Sequence, residues 1–128
     1  MNKKATEWLK QADYDFGTGR AMLSSARHIY CIFMCHLSLE KALKGLYLII
    51  YKKDPPRTHS LIYLVELIKC ELPDKVLTII EFLDDISAPT RYPEDLDQLK
   101  KMYDKEKTGK IVQQTKKALQ CLKKFYQP

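Results

Sequence analysis

The sequence predicts an all-α protein, an up-and-down bundle of four to five helices forming one domain over residues 1–128. Three observations carry this. Apolar residues recur at three- and four-residue steps through several long stretches, the spacing of a helix face. No segment of useful length alternates as a half-buried strand does. Glycine is scarce, four in 128 residues, too few for turn-rich β architecture or for the usual phosphate-cradling loops. No internal repeat, low-complexity tract or linker divides the chain.

Each element follows from its own signals. The first helix runs from about Lys3 to Ser25, with Ala5, Trp8, Leu9, Ala12, Phe16 and Leu23 on one side. Gly17 and Gly19 weaken its middle and predict a kink or a close helix contact there. The second helix, about His28 to Lys52, has a broad apolar face of Ile29, Phe33, Leu37, Leu43, Leu46 and Ile50. Asp54-Pro55-Pro56 ends it, because proline cannot continue the hydrogen-bond ladder. Thr58 is the expected N-cap of a short helix reaching about Lys69. A fourth helix, about Asp74 to Ile86, carries Val76, Leu77, Ile79, Ile80 and Leu83. Pro89 and Pro93 predict a loop or broken turn over residues 87–95. The last helix, about Asp104 to Tyr126, turns Ile111, Thr115, Ala118, Leu119, Leu122, Phe125 and Tyr126 inward.

The longest apolar run, Leu46 to Tyr51, is far short of the roughly 20 residues a bilayer span needs. The opening Met1-Asn2-Lys3-Lys4 leads into no apolar leader core, so a cytoplasmic protein that makes no membrane contact is expected. Cys31, Cys35, Cys70 and Cys121 form no CxxC pair and read as thiols of a reducing compartment. His28, Cys31 and Cys35 share one helix face and offer three zinc-type ligands. No fourth ligand accompanies them, so buried free cysteines are the reading here, with no metal and no cofactor expected.

The net charge of +6 is unevenly placed. Residues 1–99 carry 13 Lys+Arg against 14 Asp+Glu, while residues 100–128 carry 9 lysines against 2 acids. Lys110, Lys117 and Lys124 fall seven apart on the last helix, beside Lys116 and Lys123. The stripe is either a solvated face or a phosphate-binding surface for nucleic acid.

Four local patterns stand out: Trp8, Ala12, Asp13 and Asp15 in the first helix; Ser38-Leu39-Glu40-Lys41-Ala42-Leu43-Lys44; Pro56-Arg57-Thr58-His59-Ser60-Leu61 with Leu64; and Thr90-Arg91-Tyr92-Pro93-Glu94-Asp95. In order and spacing they resemble the HEPN family, the helical domains named for higher eukaryotes and prokaryotes nucleotide-binding. The resemblance spans nearly the whole chain. It implies a helical bundle, often a homodimer, often found beside a minimal nucleotidyltransferase. Some members are ribonucleases of toxin–antitoxin and defence systems, with a histidine four to six residues after an arginine. The matching arginine here is Arg91, and residues 92–98 read Tyr-Pro-Glu-Asp-Leu-Asp-Gln, with no histidine. The chain therefore resembles the branch that carries Arg-Tyr-Pro and lacks the ribonuclease signature. The function this implies is a non-catalytic nucleotide-binding or partner module. The alternative is an RNA-cleaving or RNA-binding protein using Arg91 and His59.

The residues themselves suggest a site. A guanidinium offers five donors in a fixed fork and suits a phosphate or a carboxylate. Arg91 thus either meets a nucleotide or RNA, or pairs internally with Asp13, Asp15 or Glu40, or does both. Glu40 and Lys44 form a surface i, i+4 pair, unless Glu40 points inward and requires Arg91. His59 either satisfies local groups or binds a ligand and moves a proton. His28 and His36 pair with no nucleophile. The expected site is a cleft holding Arg91, a partner carboxylate from Glu40 or Asp13, His59 close by, and Lys44 beside them. Tyr30, Ile32, Leu39, Tyr47 and Tyr51 fall partly outside the main face of the second helix, which predicts a homodimer covering them.

Overall fold

The computed structural model describes residues 2–126. They form six helices: α1 (Lys3–Ser24), α2 (His28–Tyr51), α3 (Leu61–Ile68), α4 (Asp74–Arg91), α5 (Leu96–Met102) and α6 (Lys105–Lys124). Four are long and make the bundle. The short α3 and α5 bridge successive long ones. No helix is long and apolar enough to cross a membrane.

The core is built around α2, which touches every other helix. Its buried residues run round most of its circumference, as expected of a central helix. Ile32, Leu39 and Tyr47 are among them, so this chain itself covers residues expected to await a partner. Tyr30 and Tyr51 stay exposed. Along α1 the small buried residues Ala5, Ala12 and Gly19 let the two helices approach closely. At Gly19 a Cβ would lie 3.3 Å from that of Met34, which makes the expected close contact. Gly17 has open space around it. Ser38 Oγ donates across this interface to the Ala12 carbonyl at 2.8 Å.

Capping fixes most helix starts. The Asn2 side chain accepts from Lys4 N and Ala5 N, Asp95 from Gln98 N, and Asp104 from Lys107 N. The third helix starts later than expected. Ser60, not Thr58, is its N-cap, accepting from Tyr63 N at 3.1 Å, while Thr58 Oγ1 accepts from Ser60 N.

Two further expectations fail around the prolines. Residues 87–91 are helical, because Pro89 lies inside the last turn of α4. A proline there costs one backbone hydrogen bond, and the turn closes around it. Tyr92 N donates to the Ala88 carbonyl, and buried Thr90 donates its hydroxyl to the Ser87 carbonyl, both at 2.9 Å. Arg91 consequently sits on a helix end rather than on a loop. The helix α5 has no counterpart among the expected elements, since Leu96, Leu99 and Met102 supply too short a periodicity to announce it. At the other end of the chain, α6 stops at Lys124, and Phe125 is 39% exposed while Tyr126 is buried.

Tyr126 is seated above Gly45 of α2. Its hydroxyl donates to the Ala42 carbonyl, and a Cβ on residue 45 would overlap it. Burial holds this phenol well above its usual range.

Candidate functional site

The second helix carries His36, Glu40 and Lys44 four residues apart. Four residues advance about 400° at 3.6 per turn, so the three stack along one stripe. Two other elements converge on it. The start of α3 supplies His59 on the preceding turn. The end of α4 supplies Arg91, with Asp84 seven residues earlier on the same face.

Glu40 is the hub, with its side chain 4% exposed. Lys44 Nζ donates to its Oε2 at 3.0 Å. His59 Nδ1 lies 3.1 Å from Oε1, and the Arg91 guanidinium 3.9 Å from the same oxygen. From beneath, His36 Nδ1 stands 3.8 Å away. A carboxylate can only accept, so His59 carries its proton on Nδ1, and its ring remains 66% exposed. Arg91 stacks its guanidinium 5.1 Å above the centroid of Phe33.

Asp84 is differently engaged. It accepts from Ser60 Oγ, from Leu61 N at 2.8 Å and from Ile62 N at 3.4 Å. Its negative charge thus lies on the N-terminus of α3. His36 is fully buried between the two carboxylates, its Nε2 3.7 Å from Asp84, and among the described residues neither ring nitrogen has a hydrogen-bond partner. Burial lowers its pKa against the pull of Glu40 and is aided by Arg91. The imidazole is therefore held neutral.

Of the residues singled out from sequence, Arg91, Glu40, His59 and Lys44 come together. Asp13 does not. It sits one residue off the stripe of α1 that faces α2, and pairs with Lys123 at 2.6 Å. Asp15, on that stripe, pairs with Lys41 at 2.8 Å. Sequence reasoning missed His36 and Asp84. The four-residue spacing of His36 from Glu40 was a readable signal. Asp84 gave none, since its partners are more than 20 residues away.

The basic stripe is partly committed. Lys110, Lys116, Lys117 and Lys124 are exposed. Lys123 is held by Asp13, and Lys110 lies 3.6 Å from Glu106 in a solvated pair. His28 is also used structurally, its Nδ1 donating to the Tyr103 carbonyl at 3.0 Å. Cys31 and Cys35 are buried free thiols. Among the described residues no group of three or more His, Cys, Asp or Glu side chains could hold a metal ion.

Comparison with known proteins places this architecture. The chain's fold is similar to that of TT1696 from Thermus thermophilus, with a TM-score of 0.81 at 23% identity, covering 98% of this chain and 99% of the other. It is likewise similar to ST0689, described as an archaeal HEPN homologue, with a TM-score of 0.78 at 24% identity, covering 99% and 100%. No curated protein matches the chain. The family model of the HEPN domain matches residues 5–125, nearly the whole length. The chain belongs to the HEPN domain family.

Proposed function

We propose that this HEPN domain is a non-catalytic binding module whose Glu40-centred cluster takes the phosphate of a nucleotide. The observation that supports it is the state of Arg91. Among the described residues its guanidinium makes no hydrogen bond, and its one ion partner is 3.9 Å away, beyond hydrogen-bond distance. Two permanent cations, Arg91 and Lys44, lie at the one carboxylate of Glu40, while Asp84 accepts from the start of α3 and, among the described residues, pairs with neither cation. The Arg91 guanidinium therefore keeps its donors available to an anion. Residues 92–98 offer no histidine for the arginine–histidine ribonuclease route.

Titration calorimetry with inorganic phosphate and with AMP at low salt tests this. Binding that falls at least tenfold in Arg91→Gln supports the reading. No binding by the intact chain, or unchanged affinity in the variant, refutes it.

One observation favours a second reading, cleavage of RNA. The buried Glu40 carboxylate holds His59 through Nδ1, which leaves Nε2 without a partner among the described residues as the candidate base for a ribose 2′-hydroxyl, with Arg91 at the same carboxylate. Incubation with a mixed RNA pool decides it. Cleavage lost in both His59→Gln and Arg91→Ala would favour it, and intact RNA would exclude it.

The non-catalytic binding module we propose includes a partner role beside a nucleotidyltransferase and association with a second copy. Tyr30, Tyr92, Leu96 and Met102 are exposed, and Pro93 lies between the two shallow clefts they line. This is the apolar surface that a partner would cover.

A further inference from the structure

The chain has a single tryptophan, Trp8, and it lines a cleft of about 430 Å³ between α1 and the segment that follows α2. Lys44 lines the same cleft. Its ammonium lies 5.9 Å from the centroid of the Trp8 ring and 3.0 Å from Glu40. The cleft and the cation cluster thus share Lys44, and Arg57, which lines the cleft, is two residues before His59 in the chain. We infer that this cleft is the base-binding half of the site: a mononucleotide stacks its base on Trp8 and directs its phosphate past Lys44 to Arg91 and His59.

The inference rests on the phosphate reading above and adds the place and chemistry of the rest of the ligand. Three features suit an aromatic anion. The cleft is large enough for a small ligand. Trp8, Pro55 and Pro56 supply its apolar lining, suited to a planar ring. Lys4 and Arg57 line it with Glu7 and Asp54, and the Gln11 amide and Glu7 carboxylate are available to a base edge or ribose hydroxyls. Lys4 and Asp54 pair at 3.6 Å across the mouth through two exposed side chains, so α1 and the loop are already tied together. Base stacking on an aromatic is tolerant of sequence, so purine monophosphates of either kind are expected to bind.

The single indole makes the test direct. Intact protein is titrated with AMP, GMP, adenosine and inorganic phosphate, followed by tryptophan emission and by calorimetry. AMP and GMP should change the emission, shield Trp8 from acrylamide quenching and bind at least about fivefold tighter than phosphate. Trp8→Leu should reduce AMP affinity toward that of phosphate, lower phosphate affinity far less than it lowers AMP affinity, and be rescued in large part by Trp8→Phe. AMP binding no tighter than phosphate, with unaltered quenching, would overturn the inference while leaving the phosphate reading intact. Loss of all binding, phosphate included, would instead overturn that reading and this one with it. Should Trp8→Leu lose its helical circular dichroism, Gln11→Ala replaces it, and the emission and shielding of the intact chain still decide.

Discussion

Glu40→Gln is the substitution that separates what holds the cluster together from what the cluster binds. Glutamine keeps the volume of the side chain, so no cavity forms and only the charge is lost. Lys44, 11% exposed and 3.0 Å away, loses its counterion inside the protein. Arg91, 20% exposed, loses its only charge partner among the described residues. His59 can turn to water and contributes little. Breaking a buried pair costs about 3–5 kcal/mol, and the partial exposure of both cations places this case near about 3 kcal/mol. For a domain of this size each kcal/mol is worth about 4 °C, so the melting temperature should fall by about 12 °C. Arg91→Gln should behave differently. Glu40 keeps Lys44 and His59 at hydrogen-bond distance, so only a long ion pair and the stacking on Phe33 disappear, together about 1 kcal/mol. Thermal and urea unfolding of both variants measure the difference. If Arg91→Gln destabilises as much as Glu40→Gln, Arg91 is a structural cation and its free donors are not reserved for a ligand.

Four other outcomes are expected. Gly45→Ala should cost about 1–3 kcal/mol, because the new methyl displaces Tyr126 from its bond to Ala42, whereas Gly17→Ala, with open space around it, should stabilise by about 0.5–1 kcal/mol; chemical denaturation compares them directly. His36, held neutral by burial, should weaken the fold in acid: the unfolded chain takes up a proton near pH 6.5 that the folded chain declines, so stability falls below that pH by up to about 1.4 kcal/mol per unit until the lowered folded pKa is reached. His36→Gln should flatten this part of the pH–stability curve, and an unchanged slope would contradict the assignment. Polyanion binding through Lys110, Lys116, Lys117 and Lys124 should weaken steeply with salt, and changing all four to glutamine should lower the log–log slope by about 0.7–0.9 for each phosphate no longer neutralised; an equal slope makes the stripe a solvated face. Sedimentation equilibrium should show a dimer, with Tyr92→Glu shifting it toward monomer; a single 15.0 kDa species in the native protein would reject the association.

How far the sequence reaches is clearest at Arg91. Its need for an acceptor was legible, and Asp13, Asp15 and Glu40 were the available carboxylates. Choosing among them required the rotation of α1, which turns Asp15 onto Lys41 and Asp13 toward α6. The long helices were legible to within a few residues from periodicity and caps alone. The α4 terminus was not, because the penalty of Pro89 is local while the burial of Ser87 and Thr90 that offsets it is tertiary. The notch at Gly45 was equally hidden. Nothing near residue 45 announces that Tyr126, 81 positions later, will occupy the space a side chain would fill.

The same distinction explains why His36 and Asp84 are silent in the sequence although they shape the site. Neither offers reactive chemistry to the surface. Asp84 anchors α3 through Leu61 N and Ser60 Oγ, and so fixes the turn that carries His59. His36 occupies the space between Asp84 and Glu40 as a neutral ring, which keeps two carboxylates apart without adding a charge. Were His36 protonated, positive charge would be added beside Glu40, but at the cost of a buried cation. Asp84, held on the α3 start, makes no ion pair with Arg91 among the described residues. The open donors of Arg91 thus depend on Asp84 being engaged elsewhere, and burial keeps one imidazole neutral. Asp84→Asn should accordingly do two separable things: loosen α3, read as faster amide exchange at Leu61 and Ile62, and leave the charge available to a phosphate at Arg91 no smaller than before. Weaker phosphate binding with α3 exchange unchanged would mean that Asp84 acts on the ligand directly, contrary to its placement on the helix start.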